Sequence, residues 1–234
     1  MCQDVFVPTP QRSARRSDAL SRERIVAAAI EILDADGEPD LTFRALTARL
    51  STGAGAIYHH IANKNELLAA ATDDVIAQLF SQIEKDADPA QTLRAISLGI
   101  FDAIDAHPWV GVQLSHDPLP AVLRIWKAIG EQLQALKVTG PAQSNGGSAL
   151  VSYVLGAAAQ HVAGPRTQRD TAAKREAYLE TLAERLTLHD PDPLVGEIAD
   201  QLREHDDRAQ FLAGVDIFLT GIIAQTTRPT LTSS

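Results

Sequence analysis

Residues 41–68 constrain the fold of this chain more than any other stretch. Apolar residues recur there at helical spacing on both sides of a short break at residues 51–53. The four that would hold two helices together are Leu46, Leu50, Ile57 and Ile61. Two short helices joined by a tight turn fit this pattern. The sequence therefore predicts a helix-turn-helix whose second, exposed helix comprises residues 54–60.

Helix-capping residues mark the boundaries of the neighbouring helices. Ser21 precedes an amphipathic stretch that ends at Gly37, which predicts one helix between them. Thr42 has the position of an N-cap for the following helix. Asn63 and Glu66 match the capping box that opens a helix, here a long one. The N-terminal part therefore has three helices and the start of a fourth.

The remainder of the chain also follows helical rather than strand periodicity. Apolar faces recur over residues 93–104, 122–136, 149–162 and 211–223, and no strand alternation or internal repeat interrupts them. We expect an all-α protein with a three-helix N-terminal helix-turn-helix domain followed by a larger helical bundle domain. The predicted limits are 1–20 for a disordered basic arm, 21–64 for the helix-turn-helix domain, 65–226 for the bundle and 227–234 for a tail.

The net charge of −9 is unevenly distributed along the chain. Residues 1–64 contain eight basic and eight acidic residues, so the excess acid lies entirely in residues 65–234. Residues 12–24 carry five arginines against two acidic residues. Charge therefore does not exclude a nucleic-acid partner, although it predicts weak sequence-independent binding.

Cysteine content and hydropathy bear on the compartment. The single cysteine, Cys2, excludes an internal disulfide and fits a reducing compartment. The longest nearly unbroken apolar run, residues 149–159, is too short to span a membrane. The N-terminus also lacks the apolar core and cleavage site of a secretory signal. We expect a cytoplasmic protein without a membrane partner.

Motifs of common enzyme classes are absent from the sequence. It has no glycine-rich phosphate loop, no His-Glu-x-x-His and no Gly-x-Ser-x-Gly. Asp190, Asp192 and Glu197 lack the spacing of a calcium loop. With His189 they can be a chance metal site, but a solvated connector explains them more simply. We predict no enzymatic activity, no metal and no cofactor.

Residues 21–80 resemble the DNA-binding domain of TetR-family transcriptional regulators. The specific part of the match is Tyr-x-His-x-x-x-Asn-Lys-x-x-Leu at residues 58–68. Matching positions before it are Leu41-Thr42, Leu46, Leu50 and Ile57. Farther along, the likeness is limited to the helical pattern and to a closing Phe211-x-x-Gly214-x-Asp216 run. The resemblance implies a bacterial transcriptional regulator, in particular a ligand-responsive repressor.

The resemblance also implies roles for residues around the helix-turn-helix. Thr42 and Tyr58 would bind phosphates, Lys64 would pair with a phosphate, and Arg44 would read guanine. The residues expected at double-stranded DNA are Thr42, Arg44, Ala54, Gly55, Ala56, Tyr58, His59, His60 and Lys64. In the arm, Arg12, Arg15 and Arg16 would track phosphates or the minor groove, although a solvated tail is the simpler explanation for them.

Three departures from the family pattern affect the expected recognition. Residues 54–56 carry no side-chain donor or acceptor, so discrimination would depend on Arg44, His59 and DNA shape. Ser51 replaces the usual turn glycine, and a left-handed backbone there would cost about 1 kcal/mol. Thr47 stands where a small alanine usually packs.

For residues 65–226 the resemblance implies ligand binding and dimerisation. An unknown, largely apolar small-molecule effector would bind among Phe80, Phe101, His107, Trp109, His116, Trp126, Tyr153 and His161. Ordinary core packing is the competing explanation for each of these side chains.

Two-fold reading of a palindromic operator requires a homodimer. The last helix and the small-residue stretch 149–162 are expected to form its interface, through Tyr153, Gly156, Ala157, Phe211, Val215, Phe218 and Ile222. The alternative function is a helical small-molecule-binding protein with a vestigial helix-turn-helix.

Overall fold

The computed structural model describes residues 20–84, 88–116, 119–163 and 172–226. Every regular element in these ranges is a helix, which confirms the predicted all-α class. The chain divides into two compact units, Met1–Ala71 and Thr72–Ser234. The domain limits predicted from the sequence remain predictions. Most of the predicted arm and the predicted tail lie outside the described residues.

The first unit contains the predicted helix-turn-helix. Its elements are α1 (Arg22–Asp36), a 3-10 turn (Glu38–Asp40), α2 (Phe43–Leu50), α3 (Ala54–Tyr58) and the start of α4 (Lys64–Gln82). α1 packs against α2, and α2 packs against α3. α3, the recognition helix of this motif, is thus two residues shorter than the segment predicted for it, because residues 59 and 60 form a turn.

Side-chain caps begin α1 and α2 where the sequence predicts them. The Ser21 hydroxyl accepts a hydrogen bond from the Arg24 backbone N–H at 3.3 Å. The Thr42 hydroxyl accepts one from the Ala45 backbone N–H at 3.1 Å. Each cap satisfies a donor that the helix itself leaves unpaired, a contribution of about 1 kcal/mol.

The capping box of α4 has a shifted second half. The Asn63 side chain accepts a hydrogen bond from the Glu66 backbone N–H at 2.9 Å, as predicted. The Glu66 carboxylate, however, accepts from the backbone N–H of Ala62 at 2.8 Å. In the standard motif the bond would return to the cap residue itself. The shift connects α4 to the segment that follows the recognition helix.

The turn between α2 and α3 has the left-handed backbone that the sequence predicts. Ser51 has φ 50° and ψ 46°. The Thr52 backbone N–H donates to the Thr47 carbonyl at 3.1 Å, which closes α2 in a Schellman motif. This pairing offsets the strain of about 1 kcal/mol that a non-glycine residue incurs in this conformation.

The core of the first unit holds α3 in place. Leu46 and Ile57 are fully buried, as is Ile61 in the segment after α3. Leu50 is only half-buried, so it contributes less than expected. Burial of each large aliphatic side chain contributes about 1.5–3 kcal/mol. Other members of this core are Ile25, Ile32, Leu33, Leu41, Leu67 and Leu68.

The second unit is built around α5 and α8, which pack against each other and against α6, α7 and α11. α9 packs chiefly on α10. The helices after α4 are α5 (Pro89–Ala106), α6 (Pro108–His116), α7 (Leu119–Ala135), α8 (Gly140–Ala163), α9 (Ala172–His189), α10 (Pro193–Arg203) and α11 (Asp207–Thr226).

α8 begins nine residues before the apolar stretch predicted at 149–162. Gly140 and Pro141, which lie between the apolar faces predicted at residues 122–136 and 149–162, open α8. Gly140 adopts φ 62°, which a glycine tolerates without strain. Pro141 lies in the first turn, where its missing N–H removes no helical hydrogen bond.

Two of the acidic residues weighed as a chance metal site have local structural roles. The Asp190 carboxylate accepts from the Asp192 backbone N–H at 3.1 Å. The Asp192 carboxylate in turn accepts from the Leu194 backbone N–H at 2.8 Å and caps α10. Within the described ranges, no three His, Cys, Asp or Glu side chains group as metal ligands. No described helix is both long and apolar enough to cross a membrane.

Candidate nucleic-acid interface

α3 buries one residue and exposes the rest of its surface. Ile57 is fully buried, whereas Ala54, Gly55, Ala56 and Tyr58 are exposed. The following His59 is also exposed and His60 is half-buried. The residues predicted to face DNA on this helix therefore share an outward surface of the first unit.

The start of α2 adds an exposed hydroxyl and an exposed guanidinium. Thr42 and Arg44 are both exposed. As the cap of α2, the Thr42 hydroxyl uses a lone pair, so its hydrogen remains available to donate to a phosphate. The Arg44 carbonyl accepts from the Thr47 hydroxyl at 2.8 Å, so the polar group of this larger side chain is satisfied within α2.

Tyr58 is oriented by a neighbour that the sequence interpretation missed. Its ring stacks on Phe43 with centroids 4.5 Å apart and an angle of 13° between the planes. The Tyr58 side chain remains 53% exposed. Phe43 thus restrains the ring while leaving the phenol on the surface. In the sequence, the aromatic residue that directly follows the Thr42 cap was the indication of this contact.

Lys64 has a partner within the first unit. Its ammonium donates to the Glu38 carbonyl at 2.7 Å and lies 3.8 Å from the Glu38 carboxylate. An ammonium has three donors, so this contact leaves capacity for a phosphate oxygen. Glu38 therefore holds the lysine in place and also lowers the positive potential that it presents.

Arg22 and Glu66 form a bridge that the sequence interpretation did not identify. The Arg22 guanidinium donates to the His60 carbonyl at 3.0 Å and to the Glu66 carboxylate at 2.7 Å. The pKa of Glu66 lies below its ordinary value of 4.5, first because of the hydrogen bond from the Ala62 N–H and next because of Arg22. No local pattern connects residues 44 positions apart, so only tertiary structure shows this bridge.

Gly55 is not required by the packing of the first unit. A Cβ added at this position would have no atom within 4 Å, and Gly55 is not among the residues with positive φ. A glycine inside a helix costs about 1 kcal/mol relative to alanine. Neither internal packing nor backbone strain explains that cost.

In the second unit, α5, α8 and α11 border a cleft of about 560 Å³. Phe101, Tyr153 and His161, three of the eight predicted pocket residues, line it. The other lining residues are Ala157, Gln160, His205, Asp207, Gln210, Phe211, Ala213, Gly214 and Ile217. The amide, imidazole and carboxylate groups add polar surface beside the aromatic walls of this cleft.

The other five predicted pocket residues lie away from this cleft. His107 and Trp109 approach each other at the junction of α5 and α6, with ring centroids 6.0 Å apart. His116 is exposed and contacts the Val112 carbonyl through Nδ1 at 2.9 Å. Phe80 is half-buried on α4, and Trp126 is exposed on α7.

Histidines and carboxylates form a connected row along the cleft. His161, whose side chain is 7% exposed, lies 2.7 Å from Asp105 through Nε2 and 3.6 Å from Asp207 through Nδ1. His205 lies 2.9 Å from the other oxygen of Asp207. The Phe101 ring lies against His161 with centroids 4.5 Å apart. The row gives the cleft polar groups that can orient a ligand.

The closing run of the sequence attaches α11 to α8 and α5. The Tyr153 hydroxyl donates to the Phe211 carbonyl at 3.1 Å. The same hydroxyl occupies the space that a Cβ at Gly214 would take, so this position excludes a side chain. Asp216 forms an ion pair with Arg94 on α5. Burial raises the pKa of the Tyr153 phenol.

The predicted dimer residues do not form a single exposed face. Phe211, Val215 and Ile222 are buried within their own chain, because this side of α11 packs on α5 and α8. Tyr153, Gly156, Ala157 and Phe218 are half-buried. The exposed side of α11 carries Ala213, Ile217, Thr220, Gly221 and Ala224.

Comparison with known proteins identifies relatives that match most of the chain. The family model described as bacterial regulatory proteins of the tetR family matches residues 25–71. The chain is 45% identical to the solved transcriptional regulator SCO7222, a TetR from Streptomyces coelicolor. That likeness covers 88% of this chain and 99% of the other, with a TM-score of 0.80.

Two curated proteins extend the comparison. An HTH-type transcriptional regulator of Saccharopolyspora erythraea is 28% identical over 178 residues, 75% of each chain. The HTH-type transcriptional repressor DrrR1 of Streptomyces coeruleorubidus is 25% identical over 155 residues, 65% of this chain and 57% of the repressor. Given these relatives and the exposed helix-turn-helix, the chain belongs to the TetR family of bacterial transcriptional regulators.

Proposed function

We propose that the chain is a homodimeric repressor of a palindromic DNA operator and that a small-molecule effector releases it from DNA. This proposal rests on the exposed surface of α3. The buried side chain of Ile57 anchors the opposite side of the helix in the core. A relative named as a repressor supports the direction of regulation. An operator in a bacterial chromosome would place the protein in the cytoplasm.

The DNA contacts divide into positioning and sequence-reading groups. Thr42, Tyr58 and Lys64 bind phosphates and set the register on the duplex. Arg44 reads guanine through two hydrogen bonds, and His59 contacts a base edge. His60 lies beside His59, at the end of the recognition segment (residues 54–60).

The small residues of α3 permit close approach to the bases. Ala54 and Ala56 meet thymine methyl groups, and Gly55 admits the DNA to the helix backbone. The open space around Gly55 supports this role, because no contact within the protein requires a glycine at this position.

Dimerisation uses the exposed side of α11 together with the exposed small residues of α8. Ser148, Ser152 and Ala159 lie on that side of α8, and Thr220 and Gly221 lie on α11. Small side chains allow helices of two subunits to approach closely. Two copies then present their recognition helices to successive turns of the major groove, about 34 Å apart.

The effector site is the cleft between α5, α8 and α11. Phe101 and Tyr153 supply aromatic surface, while Gln160, His161 and Asp207 supply hydrogen-bonding groups. A ligand that fits both kinds of group is amphipathic rather than wholly apolar. Binding shifts the population away from the dimer geometry that matches the operator.

One observation favours the alternative of a vestigial helix-turn-helix. The exposed side chains at residues 54–56 offer DNA no hydrogen-bonding group. Fluorescence anisotropy with DNA from the protein's own promoter separates the two functions. Nanomolar, salt-sensitive binding that resists competitor DNA supports a repressor, whereas weak and indiscriminate binding supports the alternative.

Arg44→Ala is expected to weaken operator binding by about 1–3 kcal/mol and to relax preference at one base pair, because the bidentate contact is lost. Lys64→Ala is the contrast, since loss of a phosphate contact should weaken all duplexes alike and lower the salt slope by about one. Anisotropy titrations on operator and scrambled DNA check both. Equal losses on the two duplexes for Arg44→Ala would remove Arg44 from base reading.

Gly55→Ala is expected to change stability and DNA binding in opposite directions. Alanine should raise the free energy of unfolding by up to about 1 kcal/mol, because it is the better helix former. The added methyl group should nevertheless lower operator affinity by blocking the approach of the bases. Gly196→Ala on α10, where a Cβ also meets nothing within 4 Å, is the matched control for the gain in stability. Unchanged operator affinity for Gly55→Ala would contradict close backbone approach.

Thr220→Glu is expected to dissociate the dimer, because it would place a charge in the interface of both subunits. The residue is exposed within its own chain, so the fold should tolerate the change. Sedimentation should then show monomers, and operator affinity should fall at least tenfold. Leu123→Glu on the exposed side of α7 is the control that should remain dimeric. A dimer that persists in Thr220→Glu excludes this face as the interface.

An effector is expected to stabilise the protein and weaken operator binding together. At a ligand concentration a hundred times its Kd, the gain in unfolding free energy is about 2.7 kcal/mol. A screen of amphipathic aromatic compounds by thermal shift, followed by anisotropy, checks both effects. Gln160→Trp, which fills the rim of the cleft, should abolish the shift. If no compound alters both quantities, the chain is not ligand-responsive through this cleft.

A further inference from the structure

We propose that Arg22 and Glu66 are positioning residues for operator recognition. Together they hold the segment from His60 to Ala62, which follows the recognition helix, in one conformation. This inference rests on the proposed function, since it needs DNA that the protein reads. It assigns a role in specificity to two side chains that are not expected to touch a base.

The bridge connects three parts of the first unit. Arg22 lies at the start of α1, and its guanidinium donates to the His60 carbonyl at 3.0 Å. It also donates to Glu66 on α4, at 2.7 Å. The second oxygen of Glu66 accepts the Ala62 N–H at 2.8 Å. Backbone groups on both sides of Ile61 are therefore fixed by one ion pair.

The recognition segment needs such support because α3 is short. A five-residue helix is far below the length at which helices are stable on their own. Its regular hydrogen bonds end with the His60 and Ile61 N–H groups, which both donate to the Ile57 carbonyl. Burial of Ile57 and Ile61 fixes its depth in the unit. The bridge fixes the direction in which the chain leaves it, and hence the placement of His59 and His60.

Charge and positioning predict opposite effects for a neutral substitution of Glu66. If Glu66 acted only through its charge, removing that anion beside DNA would strengthen binding to any duplex. If it positions the recognition segment, removing the carboxylate weakens operator binding. The hydrogen bonds to Glu66 lower its pKa, so the carboxylate is ionised at neutral pH and the comparison is clean.

The test compares Glu66→Gln with a control pair in the same unit. Glu31 on α1 accepts from Arg49 on α2 at 2.7 Å, and both side chains are exposed. Glu31→Gln therefore removes an equal charge from an exposed ion pair that does not reach the recognition segment. Both variants are titrated with operator and scrambled duplex by anisotropy, well below their melting transitions.

We expect Glu66→Gln to lower operator affinity about threefold to tenfold, the scale of a charged hydrogen-bond network at a partly exposed site. The affinity for scrambled DNA should stay equal or rise, so the ratio of operator affinity to scrambled-DNA affinity falls. Glu31→Gln should leave that ratio unchanged. Hydrogen exchange at the Ala62 N–H should accelerate in Glu66→Gln and not in Glu31→Gln.

Arg22→Lys supplies a second variant that keeps the charge. A lysine ammonium lacks the forked guanidinium that reaches two acceptors at once. This variant should therefore also lower the ratio of operator affinity to scrambled-DNA affinity. The double variant Arg22→Lys/Glu66→Gln should lose little more than either single variant, because the two residues act through one bridge.

The outcomes separate the two levels of the proposal. If the wild-type protein does not distinguish operator from scrambled DNA, the proposed function fails. If the wild type discriminates and Glu66→Gln discriminates equally well, the proposed function stands and the positioning role is overturned. Additive losses in the double variant would likewise overturn a shared bridge.

Discussion

The recognition surface depends on the burial of Ile57 in α3 and of Ile61, three residues past the end of that helix. A helix of five residues does not persist through its own hydrogen bonds, so packing against α2 has to supply its stability. One fully buried residue in α3 is enough to anchor it and leaves the other positions outward. Because so little of α3 is used for folding, its remaining residues are available to meet a partner. The open space around Gly55 follows from the same geometry.

Local features of the fold were predictable because they depend on neighbours in sequence. Ser21 and Thr42 cap their helices through N–H groups three residues away. Ser51 adopts the left-handed conformation because the two helices leave space for only a tight turn. The departures occur where a local rule has two outcomes. Gly140 and Pro141 can end one helix or open the next, and the carboxylate of a capping box can reach the cap residue or the residue before it.

Features that depend on which helix faces meet were not predictable from one sequence. The apolar side of α11 suggested a dimer surface, but Phe211 and Val215 are buried in the core of their own chain. Five of the eight aromatic and histidine residues predicted to line a pocket lie away from the cleft, because composition does not show which helices border a cavity. Gly214 illustrates the difference. Its position in a family run was visible, whereas its physical reason, contact with the Tyr153 hydroxyl, required the packing of α8 on α11.

The composition of the recognition helix and the supports around it form one consistent design. In the proposed complex with DNA, residues 54–56 offer shape and backbone proximity rather than hydrogen bonds, and such contacts weaken steeply when the helix is displaced. A protein that reads DNA this way therefore depends on rigid placement. Phe43 restrains Tyr58, Glu38 restrains Lys64, and Arg22 with Glu66 restrains the chain after α3. Because Glu38 and Glu66 are acidic, these supports also reduce attraction to arbitrary DNA. The balanced charge of residues 1–64 is thus compatible with specific binding, since it lowers the background against which a correct site is recognised.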